Sequence, residues 1–344
     1  MERVYKLIRL NRLLRSHRVK FAAALAAHHL RFRHLAVRVD PVMACNLRCT
    51  MCFFSNEEYV KNAKGIFTSA EIERLADMFF PRALLAVFGC GTEPTLYRDF
   101  PELVRLAQRH RVPHIGFTTN GQLLQEEHIR KFIKYGLHEL TISTHGVTKE
   151  TYERFMVNAS FERLHDVLRL FDAVKRETNS TLPHLRLNYT VNATNLDDLN
   201  LFFDVYGKYK IKTLQVRPII DFHGQFRDLL TANDLPKYDA AIAKLHAECK
   251  ARGVVLLANT SDPTFETENS NSAILQAVHR RITPMEVWRP DFNWRTETYV
   301  EFCKRIGWSS HLLKLILSDL ADVNRYSTGA WGKHSAKYEV ESPT

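Results

Sequence analysis

The chain has 344 residues, 45% of them hydrophobic and 25% charged. That is enough for one large domain or two ordinary ones with a sizeable core, and it excludes a disordered chain, a collagen-like fibre and a small disulfide scaffold. The net charge of +10 is unevenly placed: ten of the 48 basic residues and one of the 38 acidic ones lie in residues 1–39, which leaves 38 basic and 37 acidic residues for the body. A neutral body behind a basic arm argues against nucleic acid as a partner for the domain as a whole. No apolar run approaches the ~18–20 residues that cross a bilayer, so no transmembrane helix is expected.

Residues 1–35 contain neither Pro nor Gly and read as a basic helical arm. Basic residues recur at every third position from Arg3 to Arg18, a spacing that winds around a helix and leaves the apolar stripe imperfect. Three functional readings compete: a peripheral contact with an acidic membrane surface, contact with an acidic partner or substrate, and a targeting peptide. The single serine, Ser16, weakens the last, and the short apolar stretch 21–27 is a poor secretory signal. The structural alternative is a helix packed on the main domain by Leu7, Leu10, Leu14 and Leu25, with the pair His28-His29 at the surface.

From residue 35 a short apolar strand and a longer amphipathic helix alternate. Strands are predicted at 35–41, 84–89, 114–119, 138–143, 185–191 and 211–217, with helices near 69–79, 100–110, 125–135, 161–177 and 195–209. Start signals include Thr68-Ser69 before Glu71, and Asn195 before Asp197-Asp198. A long helix at 232–252 and a strand at 254–258 follow. Such alternation implies parallel β/α units joined by right-handed crossovers. The fold class is therefore α/β: a partial (β/α)6 TIM-like barrel over 36–258, with the N-terminal arm 1–35 and a mainly helical C-terminal region 259–344. In that last region 260–273 is loop-like and 284–296 carries Trp288, Phe292 and Trp294; Trp288, Arg289 and Trp294 are expected to pack it onto the barrel, the alternative being that they close over the barrel mouth and bind a ring or chain. Residues 297–325 read as helical, and the last ~15 residues as frayed.

Three of the six cysteines fall within eight residues, Cys45, Cys49 and Cys52, spaced C-x3-C-x2-C just past the first strand. A tight group in a cysteine-poor chain reads as a metal site in a reducing compartment, hence a cytoplasmic protein. Structural zinc wants four ligands, usually in two separated pairs, and Cys249 and Cys303 lack close partners in sequence. Three thiolates suit a four-iron cluster in which one iron lacks a protein ligand. A zinc site and a chance cluster of buried thiols remain the alternatives.

At this triplet the chain resembles the radical S-adenosylmethionine (SAM) enzymes, and further pieces match in order at successive strand ends. These are Phe88-Gly89-Cys90-Gly91-Thr92-Glu93-Pro94, Thr119-Asn120-Gly121, Ile142-Ser143-Thr144-His145-Gly146, Thr151-Tyr152-Glu153-Arg154, Asn188, and Val216-Arg217-Pro218. The resemblance covers roughly 36–225. It implies a [4Fe-4S] cluster held by Cys45, Cys49 and Cys52, whose open iron takes the amino and carboxylate groups of SAM. It places the methionyl ammonium on the backbone of Gly91, Thr92 and Glu93, the carboxylate or ribose on Ser143 and Arg154, and the adenine beside Met51. It implies reductive cleavage of SAM to methionine and a 5′-deoxyadenosyl radical that removes hydrogen from a substrate. Thr92 replaces the family's second glycine, Met51 its usual aromatic, and His145 its common Asp.

No cysteine-rich auxiliary region follows the barrel. Of the remaining thiols, Cys303 is the candidate hydrogen-atom donor, and Cys90 is expected in the core. The substrate is a peptide, a natural-product intermediate or a lipid or sugar precursor, and the family implies an electron donor such as flavodoxin or ferredoxin. Two other readings stand beside this one. One is a zinc-stabilised noncatalytic module that binds nucleic acid or an acidic surface through the basic arm. The other is a degenerate barrel that binds SAM without radical chemistry.

Overall fold

A computed structural model of the chain describes residues 14, 16–219, 226–258, 272–319, 323 and 339–341. Residues 1–13 and 15 of the arm, most of the expected loop 260–273 and most of the C-terminal tail lie outside them. In chain order the elements are α1 (His17–His29), β1 (Leu35–Val39), α2 (Glu57–Asn62), α3 (Ser69–Phe79), β2 (Ala83–Phe88), α4 (Phe100–Arg109), β3 (His114–Thr119), α5 (Glu126–Lys134) and β4 (Glu139–Ser143). There follow α6 (Lys149–Phe155), α7 (Phe161–Glu177), β5 (His184–Val191), α8 (Phe202–Tyr206), β6 (Ile211–Pro218), α9 (Leu235–Arg252) and β7 (Val255–Ala258). The last are α10 (Ser272–Val278), β8 (His279–Ile282), α11 (Tyr299–Arg305), α12 (Trp308–Leu317) and β9 (Glu339–Glu341). The α/β class and the unclosed strand–helix repeat of a partial barrel are what the chain forms.

The chain divides into two compact units. The first comprises 1–43, 64–116 and 268–335. Its strands run β8-β1-β2, followed by the start of β3, and β1 pairs in parallel with both neighbours. Val37, Val39, Phe79, Phe88, Leu103 and Leu106 fill its core, each such side chain contributing roughly 1.5–3 kcal/mol when buried. α3 starts at a capping box in which Thr68 and Glu71 exchange hydrogen bonds, as the sequence signal predicts.

β8 is a departure from the mainly helical expectation: its sequence, His-Arg-Arg-Ile, carries no apolar alternation, yet it pairs with Ala36–Val39. Its Arg280 is fully buried, with the guanidinium 3.8 Å from the Trp288 ring centre and bonded to the Tyr299 hydroxyl. Trp288 and Phe302 pack edge to face, so the aromatic segment does pack the C-terminal region within this unit. The helix expected over 297–325 breaks at Gly307, whose φ is +63°, into α11 and α12.

α1 docks through Phe21, Ala24 and His28 rather than through Leu14, which is exposed, or Leu25, which is half-buried; Leu7 and Leu10 lie outside the described residues. His28, expected at the surface, is buried against Trp308, ring centres 4.5 Å apart. Periodicity marks apolar residues, and a histidine that fills a core slot escapes it.

The second unit comprises 44–63, 117–267 and 336–344. After the end of β3 its strands run β4-β5-β6-β7-β9. β4 to β7 pair in parallel, and β9 is antiparallel to β7. On β5 Leu185, Leu187, Tyr189 and Val191 are buried apolar residues, while Arg186, Asn188 and Thr190 share the opposite face. The helix expected at 195–209 is a 3-10 turn at Asp197–Leu201 followed by the short α8. Asn195 does not cap it: its side-chain oxygen accepts instead from the Asn192 amide at 2.8 Å, and its side-chain nitrogen donates to the His145 and Thr190 carbonyls.

Candidate active site

The three cysteines lie in the second unit on a loop held by backbone hydrogen bonds. The Arg48 and Thr50 amides donate to the Val157 and Phe155 carbonyls at 3.0 and 2.9 Å, and Cys52 N donates to Cys49 O at 3.0 Å. The Arg48 guanidinium donates to the Cys45 carbonyl at 2.9 Å. Asn120, the middle residue of the Thr-Asn-Gly piece, donates through its side-chain amide to Asn46 at 2.9 Å. That piece therefore braces the cysteine loop, a role its sequence does not announce.

None of the six cysteines is in a disulfide, and Cys45, Cys49, Cys52 and Met51 are all half-buried. Burial pushes the Cys52 thiol up, while the Phe54 and Phe53 amides and the Arg217 and Arg48 cations pull it down. Among the described residues no three His, Cys, Asp or Glu side chains stand close enough to hold one metal ion. A four-iron cluster offers a separate iron to each thiolate, so its ligands stand apart. The triplet, with a backbone amide on Cys45 Sγ and amides and arginine charges around Cys52, fits such a cluster.

The other pieces of this unit gather at the ends of β4, β5 and β6. Ser143 closes β4 in register with Asn188 of β5, which is in register with Gln215 of β6. One strand step toward the C-terminal ends, Thr190 is in register with Arg217, and the Arg217 Nε donates to the Thr190 hydroxyl at 3.3 Å. One step the other way, Thr141, Arg186 and Thr213 are in register. The Arg186 guanidinium donates to Glu139 at 3.2 Å, to Asn188 at 3.0 Å and to Gln215. One face of three strands is thus polar, and it carries two arginines. Glu139, Arg186 and Gln215 were missed by motif reading, although the alternation in Leu-Arg-Leu-Asn-Tyr-Thr marks one side of β5 as polar.

His145, standing where the family has Asp, accepts from the Thr190 amide at its Nδ1, 3.1 Å. That bond leaves the proton on Nε2. Burial, and then the Arg217 charge, push its pKa down to about 3, so the ring is neutral. Gly146 is required by close approach: a Cβ there would lie 2.2 Å from the Tyr152 backbone nitrogen. Arg154 is exposed on α6, with its guanidinium 4.8 Å from the Phe155 ring centre.

In the first unit Gly91 is exposed, Thr92 half-buried and Glu93 2% exposed. One Glu93 carboxylate oxygen caps the turn Pro94–Leu96, accepting from the Thr95 amide and hydroxyl at 3.2 and 2.6 Å. Cys90, expected in the core, is exposed, because it falls in the loop after β2 rather than on the strand. Cys303 is buried on α11 near Tyr299 and Arg280, and burial pushes its thiol up. Cys249 is buried on α9 of the second unit.

Residues 40–191 match the family description Radical SAM superfamily. A probable GTP 3′,8-cyclase of Saccharolobus islandicus is 25% identical over 189 residues, covering 53% of this chain and 57% of the relative. The chain thus spans about half the length of the curated relatives it matches. Streptococcus suis SuiB bound to SAM superimposes with a TM-score of 0.60 at 18% identity, covering 91% of this chain and 70% of that one. anSMEcpe with bound SAM gives 0.60 at 17% identity, covering 82% and 84%. These two likenesses show the fold. Residues 40–191, the stretch that matches the radical SAM superfamily, contain the cysteine loop and five of the six further pieces, Asn188 among them.

Proposed function

We propose that this protein is a radical SAM enzyme whose Cys45, Cys49 and Cys52 hold a [4Fe-4S] cluster. When bound, the cluster supplies the electron that splits SAM into methionine and a 5′-deoxyadenosyl radical, which takes a hydrogen atom from the substrate. The observation that carries the reading is the cysteine loop: three half-buried thiols on a backbone pinned at Arg48, Thr50 and Cys52 and braced by Asn120.

The remaining residues bind, orient and exclude water. The Gly91, Thr92 and Glu93 backbone takes the methionyl ammonium, Ser143 and Arg154 the carboxylate or ribose, and Met51 the adenine face. Neutral His145 presents an Nε2–H donor where an Asp would present an acceptor. Cys303 is the hydrogen-atom donor in this scheme, a role that requires its buried thiol to be reached by the substrate radical.

The polar strand face with Arg186 and Arg217 supports a substrate bearing acidic or strongly polar groups: a peptide, a natural-product intermediate or a lipid- or sugar-linked precursor. The curated relatives are named for GTP, and SuiB has a structure with its precursor peptide SuiA, so both nucleotide and peptide classes are represented among similar proteins. A cytoplasmic electron donor such as flavodoxin or ferredoxin completes the system. The arm would hold the enzyme at an anionic membrane face.

The test is anaerobic reconstitution with iron and sulfide, then dithionite and SAM, with 5′-deoxyadenosine as the readout. The native chain should bind about four irons and release 5′-deoxyadenosine, and Cys45→Ala, Cys49→Ala and Cys52→Ala should each abolish release. Zinc without sulfide in strictly anaerobic protein would reject the proposal in favour of the noncatalytic module. A cluster with SAM binding but no cleavage, even with candidate substrates present, would favour a degenerate barrel.

A further inference from the structure

The loop expected to receive the methionyl ammonium is organised by a carboxylate outside every motif named above. Asp40, just past β1, is 1% exposed. Its Oδ1 accepts from the Cys90 amide at 2.7 Å, the Gly91 amide at 3.1 Å and the Thr92 hydroxyl at 3.3 Å. Its Oδ2 lies 3.6 Å from Nη2 of Arg281, which arrives on β8. Three donors from successive residues converge on one oxygen, and one cation answers the other.

We propose that Asp40 is a positioning residue for SAM, with Arg281 as its counter-ion; this rests on the radical SAM reading. The reason is peptide geometry. In a trans peptide the carbonyl points opposite the amide hydrogen. Drawing the Cys90 and Gly91 amides toward Asp40 therefore turns the Gly89 and Cys90 carbonyls away from it and fixes the course of the backbone as it enters Gly91–Glu93, the stretch that is to take the ammonium. The buried carboxylate also offsets the Arg281 charge beside a loop that is to accept a cation. Gly91 completes the arrangement: a Cβ there would stand 2.7 Å from Arg281 Nη2 and 3.3 Å from Asp40 Oδ2, prising the pair apart.

The test uses the full-length reconstituted chain and its Asp40→Ala and Asp40→Asn variants. SAM affinity is measured by equilibrium dialysis, and amide hydrogen exchange is followed at residues 90 and 91 without SAM. Iron content and melting temperature establish that each variant is folded and loaded. Losing a charged acceptor should weaken SAM binding about tenfold in Asp40→Ala. Asp40→Asn keeps one carbonyl oxygen for the loop and should weaken it about threefold. The loss should appear as a rise in KM for SAM that exceeds any fall in kcat, with faster exchange at both amides. Native affinity in the folded variants, or native exchange at 90 and 91, would overturn the assignment. If Asp40→Ala does not fold, Asp40→Asn decides by the same two readouts. A native chain that carries its cluster and binds no SAM would refute the radical SAM reading itself, while exchange at 90 and 91 would still report whether Asp40 holds the loop.

Discussion

Arg186 shows what a single residue does for the polar face. Its guanidinium joins Glu139, Asn188 and Gln215 across β4, β5 and β6, and its pair with Glu139 is largely shielded, with the two side chains 19% and 6% exposed. Removing one partner of a buried pair leaves an uncompensated charge. Glu139→Leu should therefore destabilise the chain by about 3 kcal/mol, read as a lower midpoint in urea, and a midpoint within error of native would show that the pair is dispensable. The cysteine triplet was legible because its chemistry is local, three thiols in eight residues. Arg186 was not, because its partners lie 47 and 29 residues away and only strand register makes them neighbours. Asp40 belongs to the same class: nothing in Val-Asp-Pro announces a bond to Cys90, 50 residues on.

At the scale of elements, α1 was legible as a helix, and its docking face was not. Inside the first unit His28 and His34 are buried beside each other, with ring centres 5.6 Å apart. Burial first, then the Arg82 and Arg280 charges, push both pKa values down to about 4. The backbone bond of His34 to Phe32 opposes the shift. The sign follows. With folded values below the ordinary 6.5, the unfolded chain binds more protons between about pH 6.5 and 4. Stability is whole above pH 6.5 and is lost as pH falls through that window. Limited proteolysis should accordingly cut near residues 30–34 faster at pH 5 than at pH 7.5, and His28→Leu should flatten the difference. Equal rates in the native chain would contradict this. β8 escaped prediction for a related reason. Its backbone pairs like any strand, but Arg280 is stabilised by Trp288 and Tyr299, which sequence order places downstream and only folding brings over it.

For the whole molecule, charge placement bears on where the protein works. Between Ser16 and Val39 there is no acidic residue. Val19, Leu30 and Phe32 expose 51%, 62% and 63% of their surface, beside exposed Arg18 and Arg31. Among the described residues no helix is long and apolar enough to cross a membrane, so contact would be peripheral. The chain should co-sediment with phosphatidylglycerol vesicles and not with phosphatidylcholine, and binding should fall as salt rises. Replacing Phe32 and Leu30 by Ser should weaken it, and no preference for anionic vesicles would remove the membrane from the proposal.

Taken alone, the sequence determined the α/β class, most strand positions, the cysteine triplet and the ordered pieces at the strand ends. Those signals live within ten or so neighbouring residues, where period, capping and ligand spacing are written directly in the chain. Only the tertiary structure decided that Thr-Asn-Gly braces the cysteine loop, that three strands share a polar face, that β8 brings Arg281 to Asp40, and that His28 is a core residue. Each of those depends on which distant segments meet, and burial and register, not local pattern, set that.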